Sequence, residues 1–172
     1  MLINPSLPVF GRVPSLPLGL ISIASYLNHY GHEAKIVECL VESSNVESEI
    51  NSFKPDIVGI SVLSCLSSIE AKRLTGIIKK NSIPVVWGGQ TPTAMPELVF
   101  KEATPDYIIL GEGEITWLEL VNTLSVGGDI NGVNGLAFLE DGNVKFTPQR
   151  NVADISLFNT TEVTLSCAIC AL

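Results

Sequence analysis

The chain has 172 residues, 46% of them hydrophobic, and its 10 basic and 18 acidic side chains give a net charge of −8. That length and apolar content suit one folded domain with a short appendage and exclude a disordered chain. The acidic balance argues against nucleic acid as a partner, because a phosphate backbone requires clustered Lys and Arg, but it leaves a mostly neutral organic ligand open.

In chain order, Leu2-Ile3 begins a first strand that Pro5 breaks, and residues 6–17 form a loop carrying Pro8, Pro14 and Pro17. From Leu18 to about Tyr30, Leu20, Ile23, Ala24 and Leu27 follow helical spacing, and Gly31 ends the helix. Ala34 to Cys39 reads as a second strand, and a short helix over Val46–Phe53 stops before Pro55. Asp56 to Val62 is a near-continuous apolar run, as expected of a buried parallel strand. Ile69 to Lys80 reads as a helix with basic residues at its C-terminus. Pro84 to Trp87 is a fourth strand ended by Gly88-Gly89, and Pro96–Glu102 is a helix with Pro at its start. Tyr107 to Leu110 is a fifth strand and Glu114 to Leu124 a fifth helix.

This alternation predicts a doubly wound α/β fold: a flavodoxin-like five-stranded parallel sheet of order 2-1-3-4-5, with right-handed crossovers. The pattern changes after Gly132. Leu136–Leu139 and Val144–Thr147 flank the turn Glu140-Asp141-Gly142-Asn143, which predicts a C-terminal β-hairpin outside the parallel sheet. The expected organisation is a ligand-binding domain over 1–130, a hairpin connector over 131–150 and a tail over 151–172. Apolar runs stop short of the ~18 residues needed to cross a membrane. Met1 to Pro5 shows no basic start followed by an apolar run, so no secretory leader is expected. Cys39, Cys65, Cys167 and Cys170 are too few and scattered for a disulfide scaffold, and a reducing, cytoplasmic location is expected.

Ligands of open parallel sheets bind outside the carboxyl ends of the strands. After the third strand comes Ser61-Val62-Leu63-Ser64, whose hydroxyls suit hydrogen bonds to a ligand; Ser64 or Ser67 equally suits a helix N-cap. After the fourth comes Gly88-Gly89-Gln90-Thr91. One glycine would serve a turn with positive φ, and two in succession favour close approach of a ligand. After the fifth comes Gly111-Glu112-Gly113-Glu114, which reads at least as well as a turn with acids at a helix N-terminus.

In combination, Ser61-x-Leu63 followed by Gly88-Gly89 resembles two of three signature elements of cobalamin-binding domains. The wider wording is similar to the cobalamin-binding domains of radical S-adenosylmethionine proteins. It comprises Pro17-Leu18-Gly19-Leu20 with Ala24-x-Tyr26-Leu27, Gly31-His32-Glu33, Pro55-Asp56-Ile57-Val58-Gly59, Gly88-Gly89-x-x-Pro92-Thr93 with Pro96-Glu97, Gly111-Glu112-Gly113-Glu114, and Gly135-Leu136-Ala137 to Gly142. The resemblance covers roughly residues 1–150. It implies a vitamin B12 module whose serine and glycine pair line a deep slot for the cofactor's nucleotide tail. The cofactor-binding residues it implies are Ser61, Val62, Leu63, Ser64, Gly88, Gly89, Gln90, Thr91, Gly111, Glu112, Gly113, Leu16 and Gly19. The implied partners are cobalamin and a radical S-adenosylmethionine domain or protein, with no nucleic acid and no membrane.

The chain departs from the family pattern twice. The third element, Asp-x-His-x-x-Gly after the first strand, is replaced by a loop from Pro5 to Pro14 without His or Asp. Cobalamin is therefore expected base-off and without a histidine ligand to cobalt. The chain also ends Cys167-Ala168-Ile169-Cys170, with Val163 where a Cys-x-x-x-Cys-x-x-Cys cluster motif would place its first thiol. An iron–sulfur cluster is not expected; these are read as two inert thiols in a tail that is a truncated or degenerate start of a radical domain. No catalytic residue is assigned, and whether the chain belongs to an enzyme stays open. His29 and His32 suit a helix C-terminus far from the ligand slot, and Cys65 is read as a small buried residue.

Three alternatives remain. A flavin- or nucleotide-binding domain of the same fold is disfavoured by the Pro-rich first loop and by Thr116 at the third glycine's place of Gly111-x-Gly113. A phospho-receiver module would need acids and a lysine where Asn4, Ser61 and Leu110 or Gly111 stand. The third is a stand-alone domain that has lost cofactor binding.

Overall fold

The computed structural model describes residues 1–5, 16–39, 46–151 and 164–167. Most of the expected Pro-rich loop and of the tail, including Cys170, lies outside the described residues. Eight strands are described: β1 Leu2–Asn4, β2 Lys35–Glu38, β3 Val58–Ser61, β4 Val85–Gly88, β5 Tyr107–Ile109, β6 Leu136–Glu140, β7 Asn143–Phe146 and β8 Thr164–Cys167. Between them lie α1 Leu18–His29, α2 Val46–Phe53, α3 Cys65–Lys79, α4 Gln90–Ala94, α5 Pro96–Ala103 and α6 Glu114–Ser125.

Local chemistry sets the helix ends. Gly31, at φ 88°, lets the Gly31 N–H donate to Asn28 O and the His32 N–H to Leu27 O, both at 3.1 Å, which closes α1. α3 starts four residues before the expected Ile69. The Ser64 hydroxyl accepts from the Ser67 N–H, and the Ser64 N–H donates to the Ser67 hydroxyl, so the helix is capped reciprocally at Cys65. α4, which the sequence did not announce, follows directly on Gly89.

The sheet order is β7-β6-β5-β4-β3-β1-β2-β8. Its centre is the expected parallel arrangement, strand two beside one, then three, four and five. The five-stranded, all-parallel expectation is corrected at both edges. The hairpin is not outside the sheet: β6 pairs antiparallel with β5 through Tyr107↔Phe138 and Ile109↔Leu136, and β7 pairs with β6. Thr164–Cys167 adds a parallel strand beside β2. The hairpin docks because β5 would otherwise present unpaired backbone groups, and because β6 is apolar on both faces. Leu136 and Phe138 enter one core and Ala137 the other. Asp141 at φ 50° and Gly142 at φ 79° supply the tight turn between β6 and β7.

Each face of the sheet has its own core. One lies under α2, α3 and α5 and centres on Trp87, Leu74 and Ile78. There Trp87 Nε1 donates to Thr75 Oγ1 at 2.9 Å, and that hydroxyl donates to Ala71 O at 2.8 Å. The other lies under α1 and α6 and holds Leu2, Ile36, Val86, Trp117 and Leu120.

Candidate functional site

Successive strand residues point to opposite faces, so the last residues of β3 and β4 decide what the carboxyl edge offers on each side. Ser61 and Gly88 are register partners, and Gly59 and Val86 form the next same-face pair below them. Val86 belongs to the core under α1 and α6, so Ser61 and Gly88 face those helices. At Gly59 the space is full: a Cβ there would overlap Trp117 Cζ2 and lie 2.8 Å from Leu2 Cδ2. At Gly88 it is open, since a Cβ would meet nothing within 4 Å. The same holds for Gly19 in the first turn of α1 and for Gly111 after β5. The result is open space at the carboxyl edge on the α1/α6 side of the sheet.

Gly89 does something else. It sits at φ 108°, and a Cβ there would lie 2.8 Å from Val62 O. The Val62 N–H donates to Gly88 O at 2.7 Å and the Thr91 N–H to Val62 O at 3.1 Å, lacing the two loops together. Gly89 is thus a conformational requirement and Gly88 an open space. The expectation that the pair serves one purpose divides between them.

Not every residue expected at the site faces the slot. Val62 is fully buried in the core under α3 and α5. Ser64 and Ser67 are engaged with each other as the α3 cap. Gly113 is a packing glycine, where a Cβ would come within 2.9 Å of Ile23 Cδ1. Thr91 is half-buried, and Gln90, Gly111 and Glu112 are exposed. Leu16 and Leu63, at 68% and 55% exposure, place apolar side chains at the carboxyl edge.

Several contacts around the slot were not anticipated. The Ser22 hydroxyl donates to Glu114 at 2.7 Å, closing the seam between α1 and α6. The Gly111 N–H donates to Thr93 Oγ1 at 3.1 Å, tying the β5 loop to α4. Asn4 Nδ2 donates to both carboxylate oxygens of Glu38 at 2.9 Å across the ends of β1 and β2. Trp117 was missed as well, although a glycine inside a strand, Gly59, is a sequence sign of close approach by another group. Thr116, at the third glycine's place of a dinucleotide fingerprint, is buried, donates to Asn134 O at 3.0 Å and accepts from Arg150 Nε at 2.9 Å. That position serves packing.

The titratable candidates lie elsewhere. His29 ends α1, its ring edge-on to Tyr30, and His32 Nε2 lies 2.9 Å from Asn122 Oδ1. Both sit at the end of α1 remote from the carboxyl edge. Burial pushes the Cys39 thiol up to about 12, with Glu70 and Glu38 adding to the effect, so it stays protonated. Cys65 is exposed, not buried as expected, because α3 begins at that residue rather than after it. Cys167 is the register partner of Glu38 at the end of β8. Among the described residues, no group of three or more His, Cys, Asp or Glu side chains could hold a metal ion. Nor is any helix of the described residues long and apolar enough to cross a membrane.

The family model for the B12 binding domain matches residues 13–121. The chain is 37% identical over 140 residues to an uncharacterized methyltransferase of Pyrococcus horikoshii, covering 78% of this chain and 30% of that protein. It is 30% identical over 171 residues to the anaerobic magnesium-protoporphyrin IX monomethyl ester cyclase of Synechocystis sp., covering 92% and 34%. Among solved structures it superposes on the radical S-adenosylmethionine methyltransferase TsrM from Kitasatospora setae, with cobalamin and a [4Fe-4S] cluster bound. The TM-score is 0.72 at 21% identity, over 86% of this chain and 30% of that one. The cobalamin-dependent S-adenosylmethionine radical enzyme OxsB, with aqua-cobalamin and S-adenosylmethionine bound, matches with TM-score 0.73 at 22% identity, over 88% and 22%. The likeness to both structures is one of fold. The chain spans about a third of the length of the curated relatives.

Proposed function

The chain belongs to the B12-binding domain family, and we propose that it holds cobalamin base-off at the carboxyl edge of its sheet, with the nucleotide tail in the slot between the sheet and α1/α6. The observation that carries this reading is the register pair Ser61–Gly88: a hydroxyl beside a position where a Cβ would touch nothing within 4 Å. A polar hydroxyl suits a tail that carries hydrogen-bonding groups, and the bare glycine admits a flat base against the backbone. Gly19 leaves the opposite wall clear, Gly111 leaves the rim clear, and Leu16 and Leu63 suit the apolar edge of a macrocycle. Gln90, Thr91 and Glu112 complete the rim. The bound cofactor supplies cobalt-centred group-transfer or radical chemistry. This chain's residues bind it, orient it and restrict water at its lower face.

The sequence contains two histidines, and both stand at the remote end of α1. That placement supports a cobalt without protein imidazole. The chemistry belongs to a radical S-adenosylmethionine domain or protein acting with this module. The length of the relatives and the kind of enzyme the fold is shared with support that partner.

The test is titration of the full chain with hydroxocobalamin followed by absorbance, then electron paramagnetic resonance of the cobalt(II) form. Saturable binding with no nitrogen superhyperfine splitting is the expected result. Absence of binding would overturn the cobalamin reading. Nitrogen splitting lost in a His29→Ala/His32→Ala double variant would overturn the ligand assignment alone.

A further inference from the structure

We infer that Trp117 forms the floor of the slot and is the surface that the lower base of a bound corrinoid meets. The inference rests on the reading that the nucleotide tail enters between the sheet and the α1/α6 layer. Trp117 closes the first turn of α6, its backbone N–H donating to Gly113 O at 2.7 Å. Its Cδ1 lies 3.4 Å from where a Cβ of Gly113 would be, while the far edge of the ring, Cζ2 and Cη2, fills the space over Gly59. The indole therefore spans the whole gap between α6 and β3. Ile23 closes the α1 side, its Cδ1 being 2.9 Å from the same Gly113 position.

Gly59 is two residues below Ser61 on β3. Two residues of strand rise about 7 Å centre to centre, so once van der Waals radii are taken off, the indole lies about one aromatic-ring thickness below the Ser61–Gly88 pair. A base reaching that depth meets the aromatic surface of Trp117, and a longer one meets a ring wedged against backbone on both sides. Glycine at position 59 is what lets the indole lie this low. Any side chain there would drive the ring up toward Ser61 and shorten the slot.

Selectivity among corrinoids separates this role from simple core packing. The chain has two tryptophans, and Trp87 lies in the core on the other face of the sheet, so it serves as an internal reference. The experiment follows both indole N–H signals by 1H–15N NMR on the full wild-type chain, titrated with cobalamin and with cobinamide, which lacks the nucleotide tail. The Trp117 signal is expected to shift with cobalamin and stay still with cobinamide, while Trp87 stays still with both. In Trp117→Phe, cobalamin affinity is expected to fall about fivefold while cobinamide affinity is unchanged, because only the base loses contact area. Cobalamin binding that leaves the Trp117 signal unmoved, or that matches cobinamide binding in affinity, would overturn the floor assignment while leaving cobalamin binding intact. No binding of either corrinoid would instead overturn the functional reading beneath it. The NMR arm needs no variant, so a Trp117→Phe chain that fails to fold leaves the test decisive.

Discussion

The two faces of the sheet use a tryptophan in opposite ways. Under α2, α3 and α5, Trp87 belongs to the strand itself, is 1% exposed and donates to Thr75, and the last β3-side residue on that face, Val62, is fully buried. That face is packed to the strand ends. Under α1 and α6, Trp117 reaches down from a helix to fill the hole left by Gly59, and beyond it Ser61 and Gly88 have no protein covering a Cβ at position 88. One face converts its apolar residues into stability, while the other stops packing a residue pair short of the edge. The open space at the carboxyl edge is an early end to the core, placed on one side of a sheet whose other side carries more of the fold.

Substitutions can break that comparison, and they fall in order of their cost to stability. Trp87→Ala should be the most damaging, losing about 3–5 kcal/mol in a denaturant melt as a large buried ring and its hydrogen bond are removed. If a melt showed a loss below about 1 kcal/mol, the α2/α3/α5 face would not be the stabilising one. Gly89→Val comes next at about 2–4 kcal/mol, from positive φ combined with a clash against the Val62 backbone. Cobalamin affinity should fall with it, because the same distortion moves both loops; a stable Gly89→Val chain would remove the conformational argument.

Ser64→Ala should cost about 1 kcal/mol through loss of the α3 cap. It should leave cobalamin affinity within about twofold, because the Ser64 hydroxyl is engaged with Ser67. A much larger loss of binding than of stability would return Ser64 to the ligand. Gly88→Val should be the mildest for the fold, within about 1 kcal/mol, since its Cβ enters open space at a strand end. Its cobalamin affinity should nonetheless drop more than about tenfold, because a branched side chain would occupy the slot. A thermal melt paired with a cofactor titration on each variant separates Gly88 from Gly89, the sharpest contrast the carboxyl edge offers.

Much of this was legible in the residues. The alternation of apolar runs and amphipathic stretches marked out five parallel strands, because burial on both faces demands near-continuous apolar strands and helical spacing demands three-to-four periodicity; their order was taken from the flavodoxin-like arrangement. Gly31, Pro96 at the start of α5 and the Asp141-Gly142 turn marked ends whose geometry is local. The resemblance carried by Ser61 and Gly88-Gly89 pointed to the loops that meet at the carboxyl edge.

What the residues left undecided depended on partners distant in the chain. The hairpin joined the sheet because β5 had a free edge and Leu136-Ala137-Phe138 could bury both faces against it; a period-two reading of the hairpin by itself holds no information about that edge. Gly88 and Gly89 look alike in one dimension. They parted only when β3 and β4 were laced together, which placed the Val62 carbonyl against one and open space against the other. Composition and periodicity thus determined by themselves the fold class and the five central strands, while the resemblance pointed to the carboxyl edge. The side of the sheet that is left open at position 88 and the filling of the gap at Gly59 by Trp117 were decided by tertiary structure, because they depend on which side chain from α6 fills a gap in a strand more than fifty positions earlier.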